Sequence, residues 1–283
     1  MPNALLKFAY DAPVPSVLTL VVGNQLRVKL ESIDKRQKLV AVSDIPNLLQ
    51  VTSTTHNARA DSWAFVVTAL REGNAKLAIQ VQQGVGAPVL TITPPLVTVN
   101  IKKAVVLPDA ASDAGLLIRL FLAEAPAPQR WKVLGVKDVA QAQQGMRLMR
   151  RVIVNRLNSG NTKEFGAANA GSLADIVRGS DGGQVQFRGF DHYPQLDAEK
   201  RSQIDDVMAL VNDATNTQWH ASYAAFYEAA FAAATESLPP DPSPTGLYGW
   251  RTDKRGAPSV EFKPFTSSGG NTFFMHSRYR LRP

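Results

Sequence analysis

Cysteine is absent from all 283 residues. Its absence excludes disulfides, thiolate metal sites and cysteine nucleophiles. Histidine is scarce, with His56, His192, His220 and His276 in none of the spacings of a zinc site, HExxH included. No metal and no cofactor are therefore expected. The GxSxG of a nucleophile elbow and the GxxxxGK[ST] of a phosphate-cradling loop do not occur. No apolar run approaches the roughly 18 residues of a membrane span, so membrane insertion is not expected. The opening stretch MPNALLKFAYDAPVP lacks a basic region followed by an apolar core. No ordinary signal peptide is expected, and action outside the cytoplasm would need another route of export.

What remains is a foldable chain. It is 45% hydrophobic and 19% charged, which argues against general disorder, and its length allows two domains with real cores. The net charge is +7, most of it N-terminal: residues 1–105 hold 11 Lys/Arg against 6 Asp/Glu, and residues 106–283 hold 20 against 18. A diffuse excess of this kind fits either an ordinary basic protein or attraction to a polyanion such as cell wall. Arg147, Arg150, Arg151 and Arg156 lie on an apolar helix without interleaved aromatics, so no nucleic-acid partner is predicted.

The hydrophobic period changes near residue 105. Before it, QLRVKLE alternates Leu26, Val28 and Leu30 with Arg27, Lys29 and Glu31, and AKLAIQVQ alternates Leu77, Ile79 and Val81 with smaller or polar neighbours. Turn signals fall at Gly23-Asn24, Glu72-Gly73-Asn74 and Gly84 to Pro88. Residues 1–105 are expected to form an antiparallel β-sandwich, similar to bacterial immunoglobulin-like repeats, for docking or delivery. From about Ala110 the period is helical. Helices are predicted at Asp113 to Ala125, Val139 to Leu157, Leu173 to Arg178, Ala198 to Asn212 and Gln218 to Ser237, with loops after Pro239. Residues 110–283 are thus expected to be a mainly α-helical domain, making the chain multidomain α and β.

One residue breaks local rules. Glu124 closes the apolar helix LLIRLFLAEA, although a helix C-terminus favours a cation. It also lies on the stripe of Leu117, Leu120 and Phe121, which should face the core. Burial and the helix terminus both disfavour its charged form, the setting of a general acid. The other reading is a frayed helix end that points into water.

Further motifs follow in order: Asn155-Arg156 ending a helix, Gln186-Phe187 in QFRGF, Pro244-Thr245-Gly246 in PTGLYGW, and Gly270-Asn271-Thr272-Phe273-Phe274. With Glu124-Ala125 they form a five-part set that resembles the SleB-type cell wall hydrolases over roughly Ala110 to Met275. Two departures stand out. The family's ARGE segment is Ala125-Pro126-Ala127-Pro128, and the histidine after the last asparagine is Thr272. GMRLMRRVIVNRL and FRGFDHYP look more like secreted antibacterial relatives, type VI secretion effectors among them.

The resemblance implies a lysozyme-like domain that cuts peptidoglycan glycan strands at the MurNAc–GlcNAc bond. Glu124 would be the acid and then the base. Phe187, Phe190, Tyr193, Tyr248, Trp250 and Phe274 would stack on sugars, or else fill the core. Gln186, Asn155 and Asn271 would bind N-acetyl groups, with a structural cap the alternative for Asn155. The implied partners are peptidoglycan, a secretion-apparatus component and a cognate immunity protein, with action in the periplasm or wall of a target bacterium. A hydrolase needs a second carboxylate about 5–5.5 Å or about 6.5–9.5 Å from the first. Asp191 is the reserve candidate, ahead of Asp175, Glu228 and Asp241. With one carboxylate, a lytic transglycosylase is the expected class. The competing class is non-catalytic: a wall-binding module or a phage tail structural protein. Stem-peptide cleavage has no cysteine and no zinc-spaced histidines to draw on.

Overall fold

The computed structural model describes residues 3–31, 37–57, 62–82, 91–181, 184–253 and 255–279. The chain divides into two compact units, residues 1–105 with 212–220 and residues 106–211 with 221–283.

The first unit holds nine strands among the described residues: β1 (Asn3–Phe8), β2 (Val17–Val21), β3 (Gln25–Glu31), β4 (Lys38–Ser43), β5 (Leu49–Asn57), β6 (Ser62–Ala69), β7 (Gly73–Gln82), β8 (Thr91–Thr93) and β9 (Leu96–Lys102). They form a five-stranded sheet, β5-β6-β3-β1-β8, and a four-stranded sheet, β2-β9-β7-β4. Period-2 alternation sets the register. Leu26, Val28 and Leu30 stand opposite Val67, Phe65 and Trp63 on β6. These leucines and the valine are buried, as are Leu77 and Ile79 from the other sheet, so both sheets feed one core. The turn expected at Gly84 to Pro88 lies outside the described residues. The segment 212–220 belongs to this unit through polar contacts. Asn24 donates to the Asn212 carbonyl at 2.7 Å and accepts from the Ala214 amide at 3.1 Å, and the Val105 amide donates to Asn212 Oδ1 at 2.8 Å.

The second unit contains α1 (Asp113–Glu124), α2 (Trp131–Leu134), α3 (Val139–Leu157), α4 (Leu173–Arg178), α5 (Ala198–Asn212) and α6 (His220–Thr235). Its strands are β10 (Ser180–Asp181), β11 (Gln184–Val185), β12 (Leu247–Thr252), β13 (Phe262–Ser268) and β14 (Asn271–His276). Ser112 caps α1, its side chain accepting from the Gly115 amide, and Asp138 caps α3. α3 buries Met146, Met149, Val152 and Ile153. Its arginines are not a free basic face. Arg150 donates to the Ala233 and Glu236 carbonyls, Arg151 to the Leu238 carbonyl, and Arg147 pairs with Glu236. Arg150 and Arg151 thereby satisfy orphan carbonyls at and beyond the end of the alanine-rich α6.

The expected fold class is corrected on two counts. Strand and helix take equal shares, 31% each, so the chain is not an N-terminal immunoglobulin-like β-sandwich followed by a mainly α-helical, lysozyme-like domain. The region after Pro239, read as loops, builds an antiparallel sheet in the order β12-β14-β13. Nor is the N-terminal unit purely antiparallel: β1 pairs β8 and β2 pairs β9 in parallel.

Two glycines place the new sheet. The β13–β14 turn uses Gly269 (φ 58°) and Gly270 (φ 75°), left-handed conformations that disfavour a side chain. A Cβ on Gly145 of α3 would lie 3.1 Å from Gly269 Cα, and one on Gly270 would lie 2.9 Å from Pro126 Cγ. The turn is thereby wedged between α3 and the segment that leaves α1. Asn271, the next residue, arrives beside Glu124.

Candidate active site

Glu124 is neither sealed in the core nor free in water. Leu117, Leu120 and Phe121 of its stripe are buried, while its own side chain is 26% exposed at the rim. Lys200 Nζ lies 2.9 Å from Glu124 Oε1, and the lysine side chain is 14% exposed. The same Nζ lies 3.5 Å from the Ala123 carbonyl, which also accepts from Gln203 Nε2 at 2.9 Å. So α5 supplies the cation and the donors that the end of α1 lacks in its own sequence. Asp197 sets the start of α5, its Oδ1 accepting from the Lys200 amide at 2.7 Å. Among the described residues Oε2 of Glu124 has no hydrogen-bond partner.

A cavity of about 360 Å³ opens here, lined by Glu124, Trp250, Arg251, Thr252, Arg255 and Asn271. Glu124 is the one carboxylate in that lining among the described residues. Three sequence candidates thus converge from the end of α1, from β12 and from the start of β14. A larger cavity, about 810 Å³, is lined by Gln129, Gln203, Asp206 and Tyr223 among others, and contains none of them. The smaller one holds the three sequence candidates.

The other candidates lie elsewhere. Phe187 is buried and supports Trp250 from behind, ring centroids 5.2 Å apart. Phe190 and Tyr193 are buried against each other, and the Tyr193 hydroxyl donates to the Ala110 carbonyl at 2.7 Å. Tyr248 is buried and stacks on Phe165, while Phe274 is buried edge-on to Phe262. Asn155 donates to Asp241 Oδ2 at 2.5 Å and to the Leu247 carbonyl at 2.8 Å. It holds the proline-rich loop to the start of β12. Gln186 is exposed, and its Oε1 accepts from Arg156 at 3.2 Å.

None of the reserve carboxylates lines the cavity. Asp191 faces His192 at 3.3 Å. Asp241 accepts from Asn155, Ser243 and the Leu247 amide, so it organises its own loop. Asp175 accepts from Ser172 at 2.8 Å in the first turn of α4, and Glu228 is exposed on α6.

Sequence reasoning missed Lys200, Arg251 and Arg255, each distant from Glu124 in the chain. It also missed how deeply Arg156 is set. That guanidinium is buried between Phe165 and Phe187, 5.1 and 5.6 Å from the ring centroids, and donates to the Tyr248 carbonyl. Desolvation holds its pKa down to about 10. Glu164, Glu261 and His276 also gather, with ligand atoms within 4.8 Å of one another. Arg278 reaches both glutamates there and supplies their positive charge. Burial lowers the His276 pKa.

No helix among the described residues is long and apolar enough to cross a membrane. No family model matches the chain, and no curated protein matches it. Among solved structures, a crystal structure of the S-layer protein SbsC is 15% identical over 34% of this chain, at a TM-score of 0.25. The Yersinia pseudotuberculosis adhesin InvE is 18% identical over 38% of it, at 0.24. A non-cellulosomal cohesin from Archaeoglobus fulgidus is 15% identical over 35%, at 0.19. The chain spans 13% of the SbsC chain, 30% of the InvE chain and 91% of the cohesin. At these TM-scores the likenesses carry no assignment of fold or function.

Proposed function

We propose that this protein cuts peptidoglycan glycan strands at the MurNAc–GlcNAc bond, with Glu124 as acid and then base. The observation that carries the reading is the convergence of Glu124, Trp250 and Asn271 on one cavity of about 360 Å³. Those three are the residue types the chemistry needs: a carboxyl to move a proton, an indole face for a sugar ring, and an amide for an N-acetyl group. They come from segments that resemble the SleB-type motifs, and the kinship with that family is part of the proposal.

Proton transfer sets the roles. Lys200 holds Oε1, so Oε2 is the oxygen left to serve the substrate. Protonated, it donates to the glycosidic oxygen as the bond to the anomeric carbon breaks. The resulting carboxylate then takes the proton of the muramyl 6-hydroxyl, whose oxygen closes onto the anomeric carbon. One carboxylate suffices and no water is consumed, so the product is a 1,6-anhydro sugar. The strand-cutting role places the protein in the wall or periplasm of a target bacterium. A secretion-apparatus component would deliver it, and an immunity protein would protect the producer.

The Glu124–Lys200 ion pair favours a second reading, a groove that binds wall glycan without cutting it. Incubation with purified sacculi separates the two. Cleavage should release muropeptides about 18 Da lighter than hydrolysis products, resistant to borohydride at the muramyl end. Binding without soluble product would establish the second reading. Reducible muramic ends would show hydrolysis, and severed peptides on intact strands would overturn both.

A further inference from the structure

The cavity beside Glu124 has a charge pattern that proton transfer does not use. Its lining includes two exposed guanidinium groups, Arg251 at the end of β12 and Arg255 just after it. Among the described residues no carboxylate lies within ion-pair distance of either. Glu124 does not serve them, since its charge is matched by Lys200. Nor does Asp253, the acid between them in sequence, whose Oδ1 accepts from Thr272 Oγ1 at 2.5 Å and Ser267 Oγ at 3.2 Å. Those hydroxyls hold the Asp253 carboxylate in place on the sheet. The cleft is left with an excess of positive charge.

We propose that Arg251 and Arg255 form an anion-binding subsite that recognises the carboxylates of the stem peptide on the glycan. This rests on the reading of the cavity as a glycan-cutting site. A guanidinium presents a planar fork of donors that matches a carboxylate, and two in one cleft raise the local concentration of an anionic ligand. The stem peptide hangs from the lactyl ether of the muramyl ring, the sugar whose bond Glu124 attacks. A peptide-bearing muramyl ring in the cavity therefore brings its carboxylates to the same opening. The subsite makes the protein selective for strands that carry free stem-peptide carboxylates over strands whose carboxylates are amidated.

The test compares rates on two substrates, peptide-bearing sacculi and the same sacculi with their stem-peptide carboxylates converted to amides. The protein should prefer the first. The double variant Arg251→Gln/Arg255→Gln should lower the ratio of the two rates by about tenfold or more, the low end for loss of one hydrogen bond to a charged group. An unchanged ratio, or equal losses on both substrates, would overturn the subsite while leaving glycan cleavage intact. If neither substrate is cut, the cleavage reading fails, and binding of a soluble stem tetrapeptide decides the subsite alone. Binding that weakens with salt and is lost in the double variant supports it. Absence of binding, or binding that the variant keeps, overturns it.

Discussion

Lys200 of α5 reaches the last residue of α1, its Nζ 2.9 Å from Glu124 Oε1. A glutamate at the end of an apolar helix faces the negative end of the helix dipole and sits at the margin of a core. Lys200 answers both problems, and Gln203 takes the adjacent Ala123 carbonyl at 2.9 Å. The pair is part-buried, so it is screened less than a surface ion pair.

Coupling between the two residues is expected. Lys200→Met should destabilise the protein by about 1 kcal/mol, because it leaves a part-buried carboxylate at a helix C-terminus without its cation. In a Glu124→Gln background the same change should cost much less. Urea unfolding of the four proteins closes the cycle, and equal costs in both backgrounds would show that the pair contributes no coupling.

Glu124→Gln should lower the rate of sacculus digestion by about a thousandfold, within the range for loss of a general acid–base group. The amide keeps the shape of the carboxyl and can still accept from Lys200, so the thermal midpoint should move little. Digestion at the wild-type rate would remove Glu124 from the chemistry. A collapse of the midpoint would make it a structural residue.

Helix bounds were the most legible part of the chain. α3, α4 and α5 begin and end where their period and caps predict, because each carries one apolar stripe and an N-terminal Asp or Ser. The sheet β12-β14-β13 was not legible. Its strands are short, Gly249 and Pro264 interrupt them, and the register slips at Leu247/Gly249 and Pro264/Thr266. Bulges break the period-2 signal that reveals a strand. At the site, Glu124 announced itself by breaking local rules. Lys200 could not, since a lysine in a helix is unremarkable until the fold brings it across 76 residues. The buried aromatics show the limit of composition: the same ring serves a core or a sugar, and Trp250 alone of the six lines the cavity.

Asn155 should prove structural. Its amide satisfies Asp241 and the Leu247 carbonyl, and Asn155 itself is buried. Asn155→Ala leaves a part-buried carboxylate and a carbonyl without that donor, which should cost about 2–3 kcal/mol. Differential scanning calorimetry should show a lower midpoint, and the surviving folded fraction should digest sacculi at close to the normal specific rate. Normal stability with lost affinity for glycan would instead make Asn155 a substrate ligand.

The buried tyrosines should cost the protein stability as the solution becomes alkaline. Burial raises the pKa of Tyr193, Tyr223, Tyr227 and Tyr248 above the ordinary 10.0. Above about pH 10 the unfolded chain loses these phenolic protons before the folded one does, so the folded state binds more protons and loses stability as pH rises. Arg156 acts in the opposite sense. Its pKa is held down to about 10 by desolvation, so above there the unfolded chain binds the extra proton and stability rises with pH. Burial lowers the pKa of Arg150 and Arg151 as well, so the tyrosine contribution is read from one tyrosine at a time. Between about pH 9 and about pH 11 the urea midpoint of Tyr248→Phe should gain on that of the wild type as pH rises. That variant keeps the buried ring on Phe165 and gives up no hydrogen bond of the hydroxyl among the described residues. A Tyr248→Phe profile parallel to that of the wild type would mean that Tyr248 titrates in the folded protein as it does in the unfolded chain.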